Sequence, residues 1–109
     1  MAEAFQIIKN RSQFIHIREK GKFIQSKFFN LQLLEDRDLN EVIFVGFIAT
    51  KKIGNAVKRN KAKRIMRELA RKVIIYGKIN SYYVLIAKSS LLKERFENLL
   101  LELKEKING

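Results

Sequence analysis

Residues 51–72, KKIGNAVKRNKAKRIMRELARK, decide how the rest of this 109-residue chain is read. Ten cations (Lys51, Lys52, Lys58, Arg59, Lys61, Lys63, Arg64, Arg67, Arg71 and Lys72) stand here against one acid, Glu68, so the stretch carries +9 of the formal +12. The other 87 residues carry only +3. From Lys58 onward, at about 100° per residue, Ala62, Ile65, Met66, Leu69 and Val73 fall within roughly a third of a helix circumference. Arg59, Lys63, Arg67 and Arg71 form an i, i+4 row on another face, with Asn60 and Arg64 beside them. Like charges at that spacing repel by a few tenths of a kcal/mol per pair. With acids nearly absent, the neutralising partner is expected from outside the chain. The pattern predicts a helix that buries one stripe and lays a comb of cations on a polyanion.

The flanking sequence supplies what this helix packs on. Before it, residues 41–50 (EVIFVGFIAT) are apolar on both faces, as a central strand covered on each side requires. Gly46 in that run leaves room for a close approach by a backbone or ligand, or marks a bulge. Residues 23–35 (FIQSKFFNLQLLE) read as one alternating strand, with Phe29, Leu31 and Leu33 on one face and Phe28, Asn30, Gln32 and Leu34 on the other. The polar turn 36–40 separates the two, and its acids, with Glu35 and Glu41, read as a solvated turn. A first helix is expected from a Ser12 cap to about Lys20, with Gly21 as a left-handed stop. After the basic helix, which is expected to run to near Gly77, residues 81–88 form a second central strand. Ser89 or Ser90 then caps a last helix through Leu92, Phe96, Leu99, Leu100, Leu103 and Ile107, whose charges are mixed as on any solvated face. The order helix, strands, helix, strand, helix makes an α+β, two-layer α/β sandwich of three to four strands in one domain, 1–109.

Composition sets the outer limits. Apolar content of 47% is that of a globular chain, and a pI near 10.2 calls for an acidic partner, nucleic acid before an anionic membrane. There is no Cys, hence no disulfide framework or thiolate chemistry, and no apolar run approaches the ~18 residues of a membrane span. A cytoplasmic location is the expectation. His16 stands alone, without a nucleophile or second ligand near it in sequence, and reads as a surface helix residue. We find no constellation for nucleophilic catalysis, no metal-ligand spacing and no phosphate-cradling loop of the G-x-x-x-x-G-K-[ST] type. No catalytic residue and no metal ligand is therefore assigned.

The run Lys51-Lys52-x-Gly54-Asn55-Ala56-Val57-x-Arg59-Asn60-Lys61-x-Lys63-Arg64-x-x-Arg67 resembles the signature of the bacterial ribonuclease P protein subunit. The weaker Phe14-x-x-Ile17-x-x-x-Gly21 spacing and the element order extend the likeness to nearly the whole chain. Where the family usually has Arg-Asn-Arg, this chain has Arg59-Asn60-Lys61, which keeps the charge and loses a fork able to grip phosphate in two places. The resemblance implies a mainly antiparallel sheet with a left-handed βαβ crossover, as in the ribosomal protein S5 domain 2-like fold. It implies a binding accessory to a catalytic RNA that uses Mg²⁺, held mainly by that RNA, to remove the 5′ leader of precursor tRNA. The protein would act as a monomer in a 1:1 ribonucleoprotein. Lys51, Lys52, Arg59, Asn60, Lys61, Lys63, Arg64, Arg67 and Arg71 would face RNA. A cleft between the first helix and one sheet face, with Phe14, Arg18, Phe28, Asn30, Gln32 and Ile48, would take the single-stranded leader. Family members often place aromatics near positions 18 and 32, where this chain has Arg18 and Gln32. Phe14 and Phe28 are each open to a second reading as plain core.

Other functions are separable. A different basic RNA-binding protein, such as a small ribosomal protein, would share the helix and the pI but not the ordered pattern from Lys51 to Arg67. A protein nuclease would need its own acid–base pair. A membrane-surface helix would need its apolar stripe free for lipid, whereas here that stripe is required for the core.

Overall fold

The computed structural model describes residues 5–108. Five strands form one sheet in the order β1-β4-β5-β3-β2, where β1 is Gln6–Ile7, β2 Lys22–Gln25, β3 Phe29–Glu35, β4 Ile43–Ile48 and β5 Ser81–Ala87. Three helices accompany it: α1 (Arg11–Lys20), α2 (Ala56–Lys72) and α3 (Phe96–Asn108). Short 3₁₀ turns at Lys51–Ile53, Ile74–Tyr76 and Ser89–Lys93 make the joints.

The sheet divides the apolar residues into two clusters because strand side chains alternate between faces. On one face Phe29, Leu31, Val45, Tyr83 and Leu85 pack with Ala62, Met66, Leu69 and Ala70 of α2 and Leu99 and Leu103 of α3. On the other, Tyr82, Val84 and Ile8 pack with Ile17 of α1, and Phe14, Phe44, Ile48 and Ile86 close around them. β4 and β5 are buried from both sides, as their unbroken apolar runs require.

β1 pairs with β4, and β4 with β5, in parallel; β3 is antiparallel to both β5 and β2. The sheet is thus mixed, not mainly antiparallel. The unit β4-α2-β5 joins neighbouring parallel strands, and its hand follows from Val45. Seen from the α2 side with β4 running upward, Val45 points at the viewer, and an L-residue so placed directs its own C=O and N–H to the right. That carbonyl accepts from the amide of Ile8, just past β1, at 2.9 Å. So β1 lies on the right, β5 on the left, and the chain crosses in front to a strand on its left. The crossover is left-handed, against the strong general preference.

Several boundaries differ from expectation, each for a local reason. The stretch 23–35 is not one strand: the chain turns at residues 26–28 and pairs back on itself as β2 and β3. Ser26 is buried in that turn, its hydroxyl donating to a Glu102 carboxylate oxygen of α3 at 2.6 Å, while its carbonyl accepts from the Lys88 ammonium. β4 is shorter than 41–50, since Asn40 and Glu41 adopt positive φ and close a turn whose Glu41 amide donates to the Asn80 side chain at 2.8 Å. Asp36 accepts from the amide of Asp38 in the same turn. Asn10, not Ser12, precedes α1, and Gly21 (φ −84°) is extended rather than left-handed. Glycine is needed there because a Cβ would stand 2.6 Å from the carbonyl oxygens of Ile17 and Leu33. The basic helix ends at Lys72 and a 3₁₀ turn leads on to Gly77. Ser89 and Ser90 open a 3₁₀ turn, so α3 begins only at Phe96. β1, two residues long, carries no pattern by which the sequence could reveal it.

Candidate nucleic-acid interface

The basic surface is built from the end of β4 outward. Thr50 leads into the 3₁₀ turn that holds Lys51 and Lys52, both exposed, and Ile53 drops into the core as its anchor. Gly54 takes φ +138°, a conformation an L side chain rarely adopts. Asn55 then caps α2, its side-chain oxygen accepting from the Lys58 amide at 3.0 Å. The sharp entry fixes the rotational phase of α2, with Ala62, Met66, Leu69 and Ala70 inward.

That phase sorts the expected RNA contacts into two groups. Asn60, Lys61, Lys63 and Arg64 project to solvent, as do Lys51 and Lys52. Three arginines are engaged within the protein. The Arg59 guanidinium is half-buried and donates to the Gly54 carbonyl at 3.1 Å, tying helix to entry turn. The Arg67 guanidinium lies over the Phe47 ring, 5.9 Å from its centroid, a cation–π arrangement that aims the side chain along the sheet end. Arg71 pairs with Glu68, one turn back. The cation row therefore has some internal compensation, confined to the end of the helix that holds the lone acid.

The second surface is the α1 face of the sheet. α1 crosses it diagonally. Phe14 sits over β4, where a Cβ on Gly46 would lie 2.4 Å from its ring, and the helix ends at Gly21 against the Leu33 backbone. Gly46 is thus the seat of the Phe14 ring, neither a bulge nor a ligand approach. Below this diagonal the phenol of Tyr82 stacks on Phe44 with centroids 5.4 Å apart. Burial, chiefly, and the nearby Asp36 charge push the Tyr82 pKa up, so the phenol stays neutral.

Two rows cross this face in register: Gly46, Val84, Gln32 and Phe23, then Ile48, Ile86, Asn30 and Gln25. The first is buried as far as Gln32 and exposed only at Phe23; the second, above the diagonal, is open, half-exposed at Ile48, Ile86 and Asn30 and fully exposed at Gln25. Asn30, Gln32 and Ile48 thus lie together as expected. Arg18 is exposed on α1, one helical turn beyond Phe14. Phe28 does not belong to this surface. It precedes β3 in the turn and packs against the α2–α3 core on the far side of the sheet. The single-strand reading of 23–35 extended the alternation through a turn, and so put Phe28 on the wrong face.

A cavity of about 770 Å³ links the two surfaces at the C-terminal ends of β4 and β5. Asn30 and Ile86 line it from the sheet and Lys51, Lys52 and Lys88 from the rim. The Asn30 Oδ1 atom is buried with no hydrogen-bond partner, a free acceptor on a residue of the cavity that Lys51, Lys52 and Lys88 also line. Lys88 and Gln25 were not distinguishable in sequence: one ends an apolar strand, and the other falls inside the 23–35 stretch that reads as a single strand. Among the described residues, no three His, Cys, Asp or Glu side chains gather closely enough to hold a metal ion.

A cationic helix, a partly open sheet face with the Gln25 amide exposed, and a lysine-rimmed joint between them make a surface for binding polyanions. Comparison with known proteins agrees: the Ribonuclease P family profile matches residues 3–108. The chain belongs to the ribonuclease P protein family. It is 33% identical over 94 residues to the ribonuclease P protein component of a Nitratiruptor species, covering 86% of this chain and 82% of that one. To the ribonuclease P protein component of Caulobacter vibrioides it is 34% identical over 110 residues, covering 95% and 73%. The Staphylococcus aureus RNase P protein structure superposes with a TM-score of 0.79 at 25% identity, covering 99% and 94%. The Thermotoga maritima RNase P protein shares the fold, with a TM-score of 0.80 at 22% identity over 94% of each chain. As a ribonuclease P protein subunit, this chain works in tRNA 5′-end processing within a ribonucleoprotein enzyme and associates with the ribonuclease P RNA. No helix among the described residues is long and apolar enough to cross a membrane.

Proposed function

We propose that the open α1 face binds the single-stranded 5′ leader of precursor tRNA while the α2 face grips phosphates of the ribonuclease P RNA. The protein then acts as a positioning partner, one copy per RNA, in the cytoplasm, and Mg²⁺ at the cleavage site is held mainly by RNA. The observation that carries this reading is the division of the surface itself. Lys51, Lys52, Asn60, Lys61, Lys63 and Arg64 stand free on one side of the sheet end, and Asn30, Ile48, the exposed Gln25 and the half-buried Phe14 line an open channel on the other, with Gln32 buried beneath it. Phosphate contacts fix position without reading sequence, and an aromatic with amides suits unpaired bases. Lys61, where the family has arginine, contributes charge rather than a two-point grip, and Arg59 acts by holding the helix entry.

The test is reconstitution with ribonuclease P RNA at low Mg²⁺, measuring affinity for precursor and mature tRNA. Phe14→Leu keeps an apolar group over Gly46 and removes the stacking ring. It is expected to weaken precursor binding by about 1–3 kcal/mol and to spare mature tRNA. Equal losses for both ligands would make Phe14 a packing residue and remove the leader from this face.

A further inference from the structure

Phe23 is the most exposed of the eight phenylalanines, with 56% of its surface open to solvent, and it belongs to neither apolar cluster. It lies on the edge strand β2 directly opposite Gln32, and residues opposite one another in an antiparallel pair share a face. Gln32 in turn opposes Val84 of the α1-side cluster. Phe23 therefore stands on the open α1 face, in the row that begins at Gly46 under the Phe14 ring. Gln32 itself is only 7% exposed, so the residue in the middle of the row offers little surface and the one at its end offers a whole ring.

We propose that Phe23 is a second stacking platform for unpaired RNA bases, at the far end of the channel from Phe14. This rests on the reading of the α1 face as the leader channel. Three inter-strand steps of about 4.8 Å separate β4 from β2, which sets the two rings about 14 Å apart. At a stacked rise of ~3.4 Å per nucleotide, about four nucleotides at most lie between them. Asn30 and the exposed Gln25 lie beside the path between the rings, in the neighbouring row, so base edges along it meet amides. An exposed aromatic on an edge strand could also serve pairing between copies. The charge argues for RNA instead: Lys20 and Lys27 flank β2, and the chain as a whole carries +12, which repels a second copy and attracts a polyanion.

The experiment uses the reconstituted ribonucleoprotein and precursor tRNAs with a single abasic nucleotide moved along the leader. The wild-type protein should show two positions at which losing the base weakens binding. Phe23→Ala should lower affinity for the intact leader by about 5-fold to 150-fold and become insensitive at one of the two positions, with mature tRNA bound as before. Phe23→Trp should restore both. Phe14→Leu should abolish sensitivity at the other position. If Phe14→Leu shows its leader effect and Phe23→Ala binds every leader like wild type, the second platform is ruled out and the channel stands. If neither variant affects the leader, the channel reading itself fails and the platform with it. Equal weakening for mature tRNA, or a dimer dissociated by Phe23→Ala with leader affinity unchanged, also overturns the assignment.

Discussion

The α2 surface and the α1-face channel solve recognition in opposite ways. On α2 the work is divided between two faces of one helix: Ala62, Met66, Leu69 and Ala70 hold the core, and Asn60, Lys61, Lys63 and Arg64 stand in water. At the Phe14 end of the channel the same residues do both. Phe14 fills the space over Gly46 and lines the opening; Asn30 belongs to an interior strand and to the floor. Charge acts at a distance and needs little packing, so it can be carried on flexible side chains over a rigid helix. Stacking acts only on contact, and Phe14 is held for it by the core it joins. Substitutions on α2 should therefore separate stability from binding, and substitutions at Phe14 or its Gly46 seat should not.

The largest break in this contrast is expected at Gly46. A methyl group there would meet the Phe14 ring at 2.4 Å, so Gly46→Ala must displace the ring, at a cost of about 1–3 kcal/mol for overpacking. Denaturant unfolding should show that loss, and precursor affinity should fall together with it while mature tRNA binding holds. Stability lost without any change in precursor affinity would show that the ring is core only.

A smaller and cleaner effect is expected on α2. Arg64→Ala should leave the unfolding free energy within about 0.5 kcal/mol and reduce the slope of log affinity against log salt for the ribonuclease P RNA by about one unit or less. Arg59→Ala supplies the contrast inside the same helix. Its guanidinium bonds the Gly54 carbonyl, so its loss should also lower the melting temperature. An unchanged salt slope for Arg64→Ala would take that residue out of the interface.

The smallest effect lies away from both surfaces and serves as their control. Hydrogen bonds from Ser26, and then from the Lys27 amide, hold the Glu102 carboxyl below its ordinary range. A carboxylate depressed in the folded state contributes stability that is present above its unfolded pKa, near ~4.3, and is lost as pH falls through the lower folded value. Wild type should thus lose a small increment of stability in that acid window which Ser26→Ala has already lost, with RNA binding at neutral pH the same for both. Identical acid unfolding curves would show the Ser26–Glu102 contact to be inconsequential.

How much was legible in the sequence varies by element. The phase of α2, its buried stripe and its exposed cations could be read because a helix's faces depend only on the chain's own 3.6-residue period. The central positions of β4 and β5 followed from unbroken apolar runs. The β2–β3 hairpin was missed because Ser26 and Lys27 carry no strong turn signal, and Ser26 is held in its turn by Glu102, 76 residues away. That one omission moved Phe28 to the wrong face and concealed Phe23. The engagement of Arg59 by a backbone carbonyl and of Arg67 by Phe47 likewise could not be seen in a pattern that counts charges.

By itself, the order of residues determined that this chain would present a cationic helix on an α+β body and that its partner would be a polyanion, since periodicity and net charge are properties of the chain alone. Only the tertiary structure decided which strands are neighbours, that the crossover is left-handed, and that Phe14, Gln32 and Phe23 share one row. Those are relations between segments distant in sequence, and they are set by which apolar faces the sheet can bury at once.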